Sequence, residues 1–260
     1  MKRNRIFLLL IAFVALQVSY AQSLDDEANN WVLLTNTNNL PSSTGHLLTI
    51  PEMGLYYADN GNLFALDTAK CQGKAQIRFL DNFQFDQLVV NDGAFLVKSQ
   101  QFVLQISSDN TKILAELDTD NFYLFSGYDG KYNLVVQEDN TTWAWYRCNS
   151  KSPKTECVVR AHEPILKILD REGSDLCIIG ESLYMVTENN LMLLSKAEEP
   201  LRDMVFTDMG CLLCTDRYLY LVNPDLQANI IATGSFHSLY YDNGTLYVVL
   251  QNGDIMKTEM

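Results

Sequence analysis

Ten side chains in this sequence could meet at one place and do chemistry together. Asp81, Asp118, Asp120, Glu163, Glu198 and Glu199 lie in the short polar stretches "LDNFQFD", "LDTDN", "AHEP" and "AEEP", each set between apolar runs. Asp86, Asp203 and His237 each stand seven residues before a glycine, and His46 stands eight before one. Carboxylates converging from several loops are the hard oxygen ligands that a divalent cation such as calcium takes. A histidine beside them could act as a base, as metal-dependent hydrolysis would need. His46 and His237 alone make no transition-metal site, because a third ligand is needed and the sequence places none. The competing reading is turn chemistry, since Asp, Asn and Glu-Pro are ordinary loop residues. Calcium is the one cofactor that these residues bring into question, and no motif requires any cofactor.

Other catalytic signatures are missing. No Gly-x-Ser-x-Gly elbow occurs, and no glycine fingerprint for a nucleotide. Six cysteines are present, Cys71, Cys148, Cys157, Cys177, Cys211 and Cys214. Cys148 ends one strand-like run and Cys157 begins the next across "NSKSPKTE", so a hairpin would set them within disulfide reach, and a bridge between them is expected. Cys211 and Cys214 are three apart in a strand and point to opposite faces, which suits neither a redox pair nor a zinc knuckle. Cys177 and Cys214 each follow a glycine by four residues and are expected to be buried packing residues.

The elements that must position these groups are read from a repeat. Gly54, Gly93, Gly130, Gly173, Gly210 and Gly244 each follow an acidic, Asn or Met residue and precede an apolar run, at successive spacings of 39, 37, 43, 37 and 34. Around each glycine lie four runs of five to seven residues rich in Val, Ile, Leu, Tyr and Phe. Such runs, broken by Asp, Asn and Gly, are antiparallel strands joined by hairpins. No helical period is sustained beyond the first twenty residues. Four strands in about 38 residues is the period of a β-propeller blade. The expected fold is all-β: a six-bladed β-propeller of four-stranded antiparallel blades, with five or seven blades as the alternatives. The last unit, "FHSLYYDNGTLYVVLQNGDIMKTEM", stops after three strands and would leave an open edge. "NNWVLLTN" near the start supplies a fourth, so the ring is expected to be closed by an N-terminal strand. In "TTWAWY", Trp143 and Trp145 share one face of a strand and are expected in the core.

The chain opens with Lys2, Arg3 and Arg5, an apolar run from Ile6 to Val18, and Ser19-Tyr20-Ala21. This is the pattern of a secretory signal peptide over 1–21, cleaved after Ala21, and the run is too short to span a bilayer. Residues 22–260 are then a single domain, periplasmic or extracellular, and not membrane-embedded. Loss of three basic and no acidic residues takes the formal net charge from −13 to −16. Such a surface repels nucleic acid and anionic membranes.

The repeat resembles those of exported bacterial six-bladed propellers, in the style of NHL and WD40-like repeats. The Trp-Asp and Gly-His pairs of true WD40 repeats and the kelch Gly-Gly pair are absent. The resemblance implies a fold and leaves the chemistry open, because propellers host enzymes, receptors and scaffolds alike. The reading that fits best is a non-catalytic interaction module for a protein or carbohydrate partner. The alternative, implied by resemblance to the calcium-dependent lactonases built on six-bladed propellers, is a divalent-metal-dependent hydrolase of esters or lactones using an acidic channel mouth.

Overall fold

The computed structural model describes residues 31–35, 46–50, 54–59, 62–67, 72–77, 85–91, 93–106, 110–170, 175–187, 190–197, 199–223 and 228–260. The signal-peptide segment lies outside them. Among the described residues, all 24 elements are strands. β1 (Val32–Thr35) is followed by a first blade of β2 (His46–Ile50), β3 (Gly54–Asp59), β4 (Asn62–Asp67) and β5 (Gln72–Ile77). The second blade is β6 (Gln87–Asn91), β7 (Ala94–Ser99), β8 (Phe102–Ile106) and β9 (Thr111–Glu116). The third is β10 (Phe122–Ser126), β11 (Lys131–Asp139), β12 (Thr142–Asn149) and β13 (Ser152–Ala161). Blade four is β14 (Ile165–Leu169), β15 (Asp175–Ile179), β16 (Ser182–Thr187) and β17 (Asn190–Lys196). Blade five is β18 (Asp203–Thr207), β19 (Gly210–Cys214), β20 (Tyr218–Val222) and β21 (Ala228–Thr233). The chain ends with β22 (Phe236–Asp242), β23 (Thr245–Leu250) and β24 (Ile255–Glu259).

The arrangement is a β-propeller of four-stranded antiparallel blades. In place of six equal units, five blades are each built from four consecutive strands. The remaining sheet is composite, in the order β1-β24-β23-β22, with Val32 opposite Lys257 and Leu33 opposite Met256.

Burial follows position within a blade. The second strand of each is covered on both sides by its neighbours, so β7, β11 and β15 carry unbroken buried runs. That explains the near-continuous apolar reading of "AFLV", "LVV" and "LCII". The fourth strand lies at the rim, and β9 is mostly exposed. The cores sit between blades: Val135, Trp145 and Val159 of the third pack on Ile165, Ile168, Cys177 and Ile179 of the fourth. The first blade's Leu47, Leu55 and Tyr57 likewise cluster with Val249 and Ile255 of the composite sheet.

Among the described residues, the repeat glycines Gly93, Gly130, Gly210 and Gly244 all have positive φ at first hairpins. Asn243 and Gly244 both have positive φ, 47° and 81°, between paired Asp242 and Thr245. This is the two-residue turn whose twist matches the strands it joins. Gly210 has φ 146°, and a Cβ there would overlap the carbonyl oxygen of Val222.

The expected Cys148–Cys157 bridge is not formed, and both are free thiols. β13 begins at Ser152, inside the expected loop, and the register shifts between Cys148 and Asn149, so Cys148 faces Thr155 while Cys157 faces Tyr146. Cys148 is buried in the core between the second and third blades, whereas Cys157 is exposed. Burial also pushes the Cys148 thiol up, and a protonated thiol reacts slowly. Brief iodoacetamide treatment of the folded protein should therefore alkylate Cys157 and spare Cys148, read by peptide mass spectrometry. A reductant should leave the melting temperature unchanged. Protection of both thiols that is lifted by reductant would contradict this register. Cys177 and Cys214 are fully buried, as the repeat phase implies.

Candidate functional site

Among the described residues, the polar groups expected at the channel mouth have different surroundings. Asp81 and Glu198 lie outside the described residues. His46 is the first residue of β2, opposite Ala58. His237 is half-buried at a bulge in β22. Asp118 and Asp120 are exposed in the loop before β10. Glu163 is also exposed, and its carboxylate fills the place that a Cβ at Gly180 would need.

The other three carboxylates hold protein partners. Asp86 Oδ2 accepts the backbone N–H of Gln100 at 3.0 Å, which fixes the turn between β7 and β8. Glu199 Oε1 meets Arg217 Nε at 2.9 Å, and Oε2 accepts from the Thr215 hydroxyl at 3.1 Å. Asp203 is the most engaged of the set. Its side chain is 6% exposed, with Oδ1 receiving Lys167 Nζ at 2.7 Å. Oδ1 also accepts from Met204 N, and Oδ2 accepts from Leu239 N, both at 2.8 Å. Lys167, Asp203 and Leu239 belong to three successive inner strands, so this carboxylate ties β14, β18 and β22 together. Gln87 makes a comparable tie, exchanging two hydrogen bonds of 2.7 and 2.8 Å with the backbone of Leu124. Among the described residues, no group of three His, Cys, Asp or Glu side chains stands close enough to hold a metal ion.

A second polar constellation was not anticipated from the sequence. Near the first-hairpin ends of the inner strands, a cavity of about 210 Å³ is lined by Ser126, Asp170, Phe206 and Tyr241 among others. Behind it the fully buried Asn133 accepts from Trp145 Nε1 at 2.8 Å and donates to Asp170 Oδ2 at 3.0 Å. Arg147 Nη2 reaches Asp175 Oδ2 at 2.6 Å, and its Nε lies 3.4 Å from Asp170 Oδ2. The guanidinium also sits 5.5 Å from the Trp145 ring centroid. These groups join the third blade to the fourth. Asp170 follows β14 and Asp175 begins β15, while Arg147 and Asn133 come from another repeat, so nothing local in the sequence links them.

Burial pushes the Asp175 carboxyl above its ordinary value, with Arg147 pulling the other way. Between the ordinary carboxylate value and that raised one, the folded chain holds a proton that the unfolded chain releases. Stability contributed here is therefore lost as pH rises through that window. Asp175→Asn should flatten this part of the stability profile, measured by urea unfolding from about pH 4 to pH 7. An unchanged slope would assign the pH dependence to another group.

No protein-family model matches the sequence, and no curated protein does. Solved structures do match. The luciferin-regenerating enzyme superposes with a TM-score of 0.63 at 9% identity, over 83% of this chain and 91% of that one. Virginiamycin B lyase from Staphylococcus aureus gives 0.59 at 11% identity, over 85% and 83%. PorZ, a surface component of the type-IX secretion system of Porphyromonas gingivalis, gives 0.55 at 10% identity, over 87% of this chain and 37% of that one. The likeness is one of fold. At such identities no activity or partner transfers. Among the described residues, no helix is long and apolar enough to cross a membrane.

Proposed function

We propose that this chain is an exported, non-catalytic interaction module: a six-bladed propeller closed by β1, acting in the periplasm or outside the cell on a protein or carbohydrate partner. The observation that carries the non-catalytic reading is the engagement of Asp203, Glu199 and Asp86. Each accepts from a cation or a backbone N–H of this chain, so it acts as a strut and is not poised as a ligand. Closure is supported by the pairing of β1 with β24 and by the apolar cluster joining the composite sheet to the first blade. Among the fold neighbours, a surface component of a secretion system is consistent with the binding role, while the named lyase and luciferin-regenerating enzyme keep the hydrolase as the alternative.

The two readings separate in one assay. Residues 22–260, exhaustively chelated, are supplied in turn with calcium, magnesium, manganese and zinc and offered aryl esters and lactones. Turnover should stay at the buffer rate with every metal. Turnover that needs one metal and disappears in Asp118→Asn/Asp120→Asn would replace the binding role with the hydrolase.

A further inference from the structure

We propose that the outer end of the third blade is a shelf that binds a neutral oligosaccharide. This deepens the binding role above and rests on it. The shelf arises from strand length. β11 has nine residues, whereas the second strands of the other blades and of the composite sheet have five or six. Val135, Trp145 and Val159 share the face that packs on the fourth blade. Two residues further along the same face come Gln137 and its partner Trp143, in the extended part of the blade. Trp143 is accordingly half-buried where Trp145 is completely so. Beside it Tyr123, 45% exposed, stacks on the Trp143 ring at 5.9 Å between centroids and 20° between planes.

The chemistry of this surface selects a sugar. A rigid aromatic pair offers the electron-rich ring faces on which the C–H side of a pyranose rests, with little side-chain entropy to lose. At its edge Asn121 Nδ2 donates to Gln137 Oε1. That bond leaves the Asn121 oxygen as an acceptor and the Gln137 nitrogen as a donor, a pairing suited to vicinal hydroxyls. Two partly exposed rings present on the order of 100–200 Å² of apolar surface. A stable protein interface needs about 800 Å² per partner, so the patch is too small for a protein and large enough for one or two sugar rings. Exposed Asp118, Asp120 and Glu163 lie on loops at this same end of the blades, and they repel an acidic saccharide.

The test uses residues 22–260 with cellotriose, maltotriose, mannotriose and triacetylchitotriose, and with trigalacturonate as the charged comparison. Calorimetry and tryptophan emission are the two readouts. At least one neutral trisaccharide should bind saturably and shift the emission, and trigalacturonate should bind more weakly. Tyr123→Ala should weaken binding about tenfold, equal to about 1.4 kcal/mol, and melt like the parent because its ring is half in solvent. Trp143→Ala should abolish the emission shift, whereas Trp31→Phe should keep it. Absence of binding by all four neutral sugars, undiminished binding by Tyr123→Ala, or equal binding of trigalacturonate would each overturn the proposal. Cleavage of a bound sugar would remove the non-catalytic reading and leave the shelf standing.

Discussion

Removal of residues 22–40 should leave a chain with no cooperative thermal transition. β1 supplies the fourth strand of the composite sheet, pairing Val32, Leu33 and Thr35 with Lys257, Met256 and Ile255. Without it β24 presents an unpaired row of N–H and C=O groups, an edge open to aggregation. The loss goes beyond the ladder. Trp31 packs against the core formed by Leu212, Leu219, Phe236 and Leu246, which joins the fifth blade to the composite sheet. Truncating a packed tryptophan alone typically costs about 3–5 kcal/mol, a large part of the 5–15 kcal/mol that holds a domain folded. Calorimetry and far-ultraviolet circular dichroism of 41–260 beside 22–260 decide the matter. A truncated chain that melts cooperatively near the parent's temperature would show that the ring does not depend on β1. Trp31→Ala should sit between the two, with a cooperative transition at a lower temperature.

Asp203→Ala should be the most damaging single substitution among the acidic residues. It strips the buried partner from Lys167 and leaves the N–H of Leu239 without its acceptor. Breaking a buried ion pair from one side costs about 3–5 kcal/mol, and for a domain of this size that lowers the melting temperature by about 10 °C. Asp203→Asn should cost less, since an amide oxygen still accepts from Leu239 while the charge on Lys167 goes unmatched. Lys167→Met should also cost less than Asp203→Ala, because two backbone N–H groups still hold the carboxylate. The double variant Asp203→Ala/Lys167→Met should be milder than the sum of its parts by about 1–3 kcal/mol, as expected for groups in direct contact. Additive losses would mean that the two side chains act independently and that the strut is not formed in solution.

Asp203 also shows why the candidate site was only partly legible. By repeat phase it matches Asp86 and His237, and the sequence places all three at corresponding positions of the second, fifth and last units. What surrounds each is not repeated. Asp203 has Lys167 on the inner strand of the preceding blade, whereas Asp86 caps a turn at the surface. The tryptophans divide in the same way. Alternation puts Trp143 and Trp145 on one face, and both were expected in the core; both pack on the cluster between the third and fourth blades, but Trp145 is completely buried and Trp143 only half. The stretch "NSKSPKTE" was expected as a loop setting Cys148 against Cys157, but β13 already begins at Ser152 within it, and the register shift beside Cys148 sets that residue opposite Thr155. A bulge is a backbone event of one residue and leaves no periodic mark.

The sequence by itself determined the strands, their grouping in fours and the hairpin glycines. These depend on alternation, apolar run length and turn sterics within about forty residues. It also placed Cys177 and Cys214 in the core, because second strands are covered on both sides wherever they occur. Tertiary structure decided which carboxylates are struts, which tryptophan reaches solvent, and that Arg147 meets Asp170 and Asp175. Those outcomes join residues roughly one repeat apart: Asp203 with Leu239, 36 positions on, and Gln87 with Leu124, 37 on. The blades' packing brings such positions together in space. No local rule of spacing reports which two side chains will meet across that gap.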